Sequence, residues 1–353
     1  MKGNGHHLLL YLPSPMGDAI LCTPALRAIR EQFPGDRISL LANRTVREVL
    51  SPCPFHYDWI DPGHSMPGTI AQLRNGKFTH AVLFKNSLGS ALTVFLARLP
   101  HRIGYSREGR GLLLTDRLHP PRSAQGRYKP ISMVDYYLAI AQRLGADISR
   151  RDLELHVGPR DLESLRTRLP ELYTANGPVV ILVPGGAYGP SKCWPTERFA
   201  QAADRLIDAY GAVVVLSVAG NPFERQIAAR IRQAAEHPLL SLGDRSVGLG
   251  ELKAVFSRAD LVITNDTGPR HIAIALGRKV ITLFGPNDPA WTQTGYPREV
   301  QIVGRAPCAP CRKPRCSQPE HTCMRDISTD RVMTAACELL GRERPTNGTA
   351  SQA

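Results

Sequence analysis

A chain of 353 residues exceeds what one compact core usually holds, so two domains are expected. A hydrophobic share of 42% excludes a disordered chain, and a net charge of +13 calls for an anionic partner: nucleic acid, an acidic membrane surface or a phosphorylated substrate. The apolar run Leu8–Leu12 is too short for a membrane span, stops at Pro13 and lacks a small-residue cleavage site, so the chain is expected in the cytoplasm.

In chain order, Leu8–Leu12, Ile38–Ala42 and Ala81–Phe84 read as buried strands separated by helical patterns such as Pro24–Phe33 and Ser87–Leu99. That alternation predicts a parallel sheet covered on both faces. The basic excess gathers from Arg98 to Lys129, where Arg98, Arg102, Arg107, Arg110, Arg117, Arg122, Arg127 and Lys129 meet only Glu108 and Asp116. No helix-turn-helix, RRM or zinc-finger pattern accompanies it, so nucleic acid is not the expected partner. A helix over Ile131–Leu144 ends at Gly145, where a left-handed cap suits glycine. Asn176-Gly177-Pro178 then punctuates before a new start.

The alternation resumes with Val179–Val183, Pro195–Tyr210, Val213–Val218 and Pro222–Ala235. It continues through Leu239–Leu242, Leu249–Ser257, Leu261–Thr264, His271–Leu276 and Val280–Phe284. Two Rossmann-like α/β domains are expected, residues 1–170 and 171–342, with a disordered tail over 343–353. Ligands of such sheets gather at the carboxyl ends of the strands.

Four segments fall after expected strands: Pro13–Leu26 with Asp18, Pro184–Pro195 with Lys192, Ala219–Glu224, and Asn265–Gly277. The last opens a helix directly from a strand. Its free N–H groups and dipole favour an anion, with Arg270 and His271 flanking the bound phosphate. Each has an ordinary alternative: Asp18 or Asp266 as a helix cap, Lys192 as a solvated loop residue, Glu224 as a first-turn acid. The Gly185–Lys192 loop lacks P-loop spacing, and the first turn lacks G-x-G-x-x-G, which argues against a dinucleotide-dependent oxidoreductase.

Taken together, Met16-Gly17-Asp18 with Thr23–Leu26, Pro184-Gly185-Gly186 with Lys192–Pro195, Asn265–Gly268 with His271, and Phe284–Pro289 resemble glycosyltransferase family 9. The match is nearest to its heptosyltransferase II group. The resemblance implies a GT-B architecture, two Rossmann-like domains with parallel sheets facing across a cleft. The first binds the acceptor, the second ADP-L-glycero-D-manno-heptose. It implies inverting transfer of heptose to the inner core of lipopolysaccharide, with no cofactor or catalytic metal. Another nucleotide sugar, a different acceptor, or a non-catalytic nucleotide-binding scaffold are the alternatives.

The same resemblance assigns roles. Asp18 is the general base and Lys192 balances the charge of departing ADP. Gly185, Gly186, Ser191, Lys192, Glu224, Asp266, Thr267, Gly268 and His271 hold the donor, with Asp266 on the heptose hydroxyls and Glu224 on the ribose. Ser14, Gly17, Arg102, Arg107 and Arg110 are acceptor candidates, the arginines pairing with phosphates or carboxylates of a lipid A–Kdo/heptose core. Several of these cations equally suit a solvated face drawn to the anionic inner leaflet, so peripheral association with the inner membrane is expected of a monomer. Pro269-Arg270 departs from the family pattern; proline suits a first helical turn, whereas Arg270 adds an unexplained cation.

Cysteines at 308, 311, 316 and 323 cluster, with His321 inside the run. In reducing cytoplasm, Cys308, Cys311, Cys316 and Cys323 suggest a structural zinc over disulfides, although the spacing departs from common zinc ribbons. Cys22, Cys53, Cys193 and Cys337 read as small buried hydrophobes.

Overall fold

The computed structural model describes residues 5–63, 65–245 and 247–341; the tail expected over 343–353 lies outside these. The chain divides into two compact units. One is built from residues up to Gly158 together with Pro289–Tyr296, the other from Pro159–Asp288 and from Pro297 onward.

The first unit carries strands β1 (His7–Tyr11), β2 (Arg37–Leu41), β3 (Asp58–Ile60), β4 (His80–Leu83), β5 (His101–Tyr105) and β6 (Asp116–Leu118). Its helices are α1 (Met16–Leu21), α2 (Thr23–Gln32), α3 (Arg44–Leu50), α4 (Met66–Asn75), α5 (Leu88–Leu96) and α6 (Met133–Arg143). All strand pairs are parallel, in the order β3-β2-β1-β4-β5-β6. Leu8, Leu9 and Leu10 of the central β1 are wholly buried because helices cover both faces. Gly145 takes φ +82° just beyond α6, as expected from its place after the apolar pattern.

The second unit repeats the plan with α7 (Pro159–Arg168), α8 (Glu171–Thr174), β7 (Val179–Val183), α9 (Thr196–Tyr210), β8 (Val213–Leu216), α10 (Pro222–Ala234) and β9 (Leu240–Ser241). It continues with α11 (Leu249–Ser257), β10 (Leu261–Asn265), α12 (Gly268–Ala275), β11 (Lys279–Phe284), β12 (Glu299–Val303), α13 (Thr322–Arg325) and α14 (Thr329–Leu340). The order β12-β11-β10-β7-β8-β9 is again parallel throughout. β7 reads Val-Val-Ile-Leu-Val and buries all five side chains, as a β-branched run does in a doubly covered sheet. α9 puts Phe199, Ala203, Leu206 and Tyr210 into the core at helical spacing, and Gly211 at φ +62° closes it.

Residues 159–170, placed before the domain division from sequence, pack with the second unit, where Arg168 meets Glu251 at 2.6 Å. The segment Pro289–Tyr296 returns to the first unit, and Ser132 Oγ donates to the Gln293 carbonyl at 2.6 Å. β3, β5, β6 and β12 had no reading as strands. Three are short or polar, and their backbone hydrogen bonds come from a neighbour distant in sequence.

Each sheet reverses direction of winding beside its first strand, between β1 and β4 in one unit and between β7 and β10 in the other. Open α/β sheets bind ligands at the carboxyl ends of the strands at such switch points. The Asp18 turn follows β1, while the Lys192 loop follows β7 and Asp266 follows β10.

Candidate active site

In the first unit, α1 starts immediately after the exposed Ser14, with Pro15 as its N-cap and no side chain capping it. Asp18 is therefore not the cap. It lies in the first helical turn, half-buried, with Gly17 beside it equally accessible. Burial, followed by the nearby Asp18 carboxylate, pushes the Cys22 thiol well above its ordinary range. The Tyr137 phenol moves the same way, through burial first and then Cys22 and Asp18. Both remain protonated next to the Asp18 carboxylate.

The arginines of this unit separate into two groups. Arg110 is fully buried; its Nε donates to the Tyr105 carbonyl at 2.8 Å and Nη2 to Asn86 Oδ1 at 2.9 Å, while Nη1 reaches Lys85 O and Ser90 Oγ. Arg102 spends Nε on the Leu113 carbonyl at 2.7 Å and Nη1 on Leu99 O. Burial of Arg110 within the fold corrects its expected acceptor role, whereas Arg102 is half-buried and tied to the Leu113 and Leu99 carbonyls beside the interior strand β5. Arg107 differs, lying half-buried with its guanidinium 4.3 Å from the Tyr128 ring.

In the second unit, the loop after β7 closes on the loop after β10. Asn265 Nδ2 donates to the Pro184 carbonyl at 2.8 Å, and Lys192 Nζ donates to the Asp266 carbonyl at 2.6 Å and to Asp266 Oδ2 at 3.0 Å. Lys192 also stands 4.8 Å over the Tyr188 ring. Thr267 caps α12 in an extended conformation and Pro269 occupies its first turn, so the N–H groups at Thr267 and Gly268 sit at the start of an eight-residue helix. Gly186 faces Thr267, with room for a Cβ at 3.6 Å. Gly185 has no such room, since a Cβ there would stand 2.5 Å from Glu224 Cδ. Glu224 itself is buried in the first turn of α10, accepting from the Ala219 amide at 2.6 Å.

Asp266 is the hub. Lys192 and Asn287 donate to Oδ2, both at 3.0 Å, and Arg270 Nη1 reaches Oδ1 at 3.3 Å. Burial opposes its charge, but Lys192 and Arg270 overcome that and hold the carboxyl well below the usual carboxylate range. Behind it, Arg270 is wholly buried and forked onto Glu299, Nε to Oε1 at 2.6 Å and Nη2 to Oε2 at 3.1 Å. Thr282 and Gln301 complete the Glu299 shell at 2.6 and 3.0 Å.

One expectation fails here: Arg270 does not flank a phosphate; it points into the sheet and neutralises Glu299. His271 beside it is held neutral, because burial and then the adjacent Arg270 draw its pKa down to about 3. A group buried neutral in this way lets the unfolded chain take its proton first as pH falls. Its contribution is complete above pH 6.5 and is lost toward the folded value, at a slope of up to about 1.4 kcal/mol per pH unit. His271→Gln should flatten the fall of stability between neutral pH and pH 5, measured by urea unfolding. An unchanged slope would remove His271 from the account.

Ser191, expected to hold donor, is engaged with the segment that follows β12. Its Oγ donates to the Lys313 carbonyl at 2.6 Å, its N–H to Pro314 O at 3.2 Å, and its carbonyl lies 2.7 Å from His321 Nε2. Thus the cysteine-rich segment braces the turn that presents Lys192. Its thiols do not form the expected zinc set. Cys323 is packed in the apolar core with Met324 and Ile327, Cys308 is exposed, and among the described residues no three His, Cys, Asp or Glu are arranged to hold a metal.

Glu299 and the role of Tyr188 were not foreseen. Glu299 carries one signal in retrospect, a carboxylate opening a short alternating run of Val300, Ile302 and Val303; its partner lies on a helix and could not be named from spacing.

Two doubly wound parallel units, one with a carboxylate at its switch point and the other with a lysine and a helix N-terminus, are the plan of the GT-B fold. The profile of glycosyltransferase family 9 (heptosyltransferase) matches residues 69–321, and the chain belongs to that family. It is 26% identical to lipopolysaccharide heptosyltransferase 2 of Escherichia coli K12, over 95% of this chain and 99% of that one. Among solved structures, it resembles E. coli ADP-heptose lps heptosyltransferase II with a TM-score of 0.76 at 24% identity, covering 95% and 98% of the two chains. It also resembles a family 9 glycosyl transferase from Veillonella parvula, TM-score 0.79 at 22% identity, covering 97% and 99%.

Proposed function

We propose that this protein transfers L-glycero-D-manno-heptose from ADP-heptose to the inner core of lipopolysaccharide, as the names of its relatives suggest, by a single inverting displacement without a metal. The observation that carries the reading is the Lys192 ammonium, held on Asp266 beside the start of α12. A hydroxyl of the core attacks the anomeric carbon while Asp18 accepts its proton. The bond from that carbon to the diphosphate oxygen breaks, and its electron pair leaves with ADP. Lys192 spends two hydrogen bonds on Asp266, and an ammonium has three donors, so one remains for the departing diphosphate. The amides at Thr267 and Gly268 add the positive end of the helix. Gly185, Gly186 and Glu224 line the nucleotide end, and Asp266 directs hydrogen bonds to the sugar.

Acceptor binding falls to Ser14, Gly17 and Arg107 of the first unit. The protein works as a monomer on the cytoplasmic face of the inner membrane. Among the described residues no helix is long and apolar enough to cross a membrane.

Purified protein would be incubated with a panel of nucleotide sugars and truncated lipid A–core acceptors, and products weighed by mass spectrometry. ADP-heptose should supply the transferred mass. Transfer from another nucleotide sugar with none from ADP-heptose would refute the donor. Lys192→Met should lower kcat about 10²–10³-fold, as loss of one preorganised donor to a developing anion does. Undiminished kcat would instead leave the leaving group to the α12 amides alone.

A further inference from the structure

α5 contains no charged residue: it reads Leu-Gly-Ser-Ala-Leu-Thr-Val-Phe-Leu. A helix apolar all round is normally buried on all sides, yet this one covers the sheet with one face only. Ala91, Val94 and the following Ala97 enter the core with the β-strands, while Leu88, Phe95 and Leu96 stay exposed, at 49%, 43% and 39%. Together with the half-buried Leu92 they form a stripe at positions i, i+4, i+7 and i+8. α9, which covers the other sheet, shows what an ordinary outer face looks like here: Glu197, Gln201, Arg205 and Asp208 at matching spacing.

α4 lies beside α5. The Met66 methyl would stand 3.7 Å from a Cβ on Gly89, and Arg74 Nη2 donates to the Leu96 carbonyl at 2.8 Å, so the two helices run side by side from one end to the other. Where they end, Arg74, Lys77 and Arg98 ring a depression of about 440 Å³ floored by Leu73, Phe78 and Leu99. From Pro62 to Arg107 the chain carries no Asp or Glu. An apolar stripe ending in a ring of uncompensated cations complements one surface in particular: acyl chains beneath anionic headgroups.

We propose that the outer face of α5, with Arg74, Lys77 and Arg98 at its end, is the surface by which this protein docks on an anionic phospholipid leaflet. The stripe enters the headgroup–acyl boundary and the basin takes lipid phosphates. This deepens the membrane part of the proposed function and rests on it, but does not depend on which sugar is transferred.

The test is sedimentation of the full chain with phosphatidylcholine vesicles prepared with and without phosphatidylglycerol. The protein should bind the anionic vesicles and be released by salt. Phe95→Ser with Leu96→Ser, and separately Lys77→Glu with Arg98→Glu, should each lower partitioning on the order of tenfold or more. Circular dichroism should show both variants folded; the Phe95/Leu96 variant should unfold at a somewhat lower temperature, since both side chains are more than half covered and Phe95 lies 5.4 Å under Arg102. Equal binding by wild type and both variants, or no binding by wild type, overturns the proposal. So does a wild-type dimer that the Phe95/Leu96 variant dissociates, since a second copy would then cover the stripe. Transfer to a water-soluble, deacylated acceptor should be the same in all three proteins. If vesicles are bound but no transfer occurs in any of them, the transferase reading fails and the docking surface stands.

Discussion

Asp18→Asn should abolish most transfer while leaving the donor bound: kcat falls about 10²–10⁴-fold, the usual worth of a positioned general base. The substitution is nearly isosteric at a half-buried position in the first turn of a six-residue helix, so the fold should hold. Every residue assigned to ADP-heptose lies on the second unit, so its affinity, measured by calorimetry, should change little. Asparagine keeps a hydrogen bond to the acceptor hydroxyl but cannot take its proton. That separates a chemical role from a binding one: a base mutant loses kcat, whereas a lost acceptor contact raises KM. Wild-type kcat in Asp18→Asn would leave the reaction without its base and return the carboxylate to a structural role at the start of α1.

Glu299→Ala is expected to be among the most destabilising single changes in the second unit, costing about 3–5 kcal/mol, because it strips a fully buried guanidinium of a bidentate partner. Asp266, the other carboxylate beside Arg270, is at 3.3 Å and does not replace the lost fork. The effect should reach the donor site as well. With Arg270 unanchored, one oxygen of Asp266 loses its fixed neighbour, and the KM for donor should rise more than kcat falls. The double change Arg270→Met with Glu299→Leu should recover much of the stability, since apolar replacement of a buried pair is often neutral or better. It should not recover the KM. Denaturant unfolding of the three variants reads the first effect, and steady-state kinetics the second. A Glu299→Ala protein as stable as wild type would mean that water or a shifted side chain satisfies Arg270.

The cysteine-rich segment is tied to the Lys192 turn through backbone atoms of Lys313 and Pro314 and through the His321 ring. Gly189 is at φ +142°, and a Cβ there would meet the Pro314 carbonyl at 2.4 Å. The segment therefore packs against the turn that carries Lys192 and fixes its backbone.

The sequence by itself determined the buried strands β1, β2, β4, β7, β8, β10 and β11, the α/β alternation of both units and the four loops singled out after those strands. These rest on neighbours along the chain: a β-branched run such as β7, a proline in the first turn of α12, Asp18 and Lys192 a few residues beyond their strands. Tertiary structure decided what those charges face. Arg270 could be a phosphate ligand or a buried counter-ion, and only the pairing of β11 with β12 brings Glu299 to it. That His271 is held neutral was not legible either, because spacing says nothing about desolvation. Arg102 and Arg110 looked like acceptor contacts because a basic run does not show which carbonyls it closes. Local geometry is written in short-range preference, whereas the protonation and partners of a buried side chain depend on residues that may lie anywhere else in the chain.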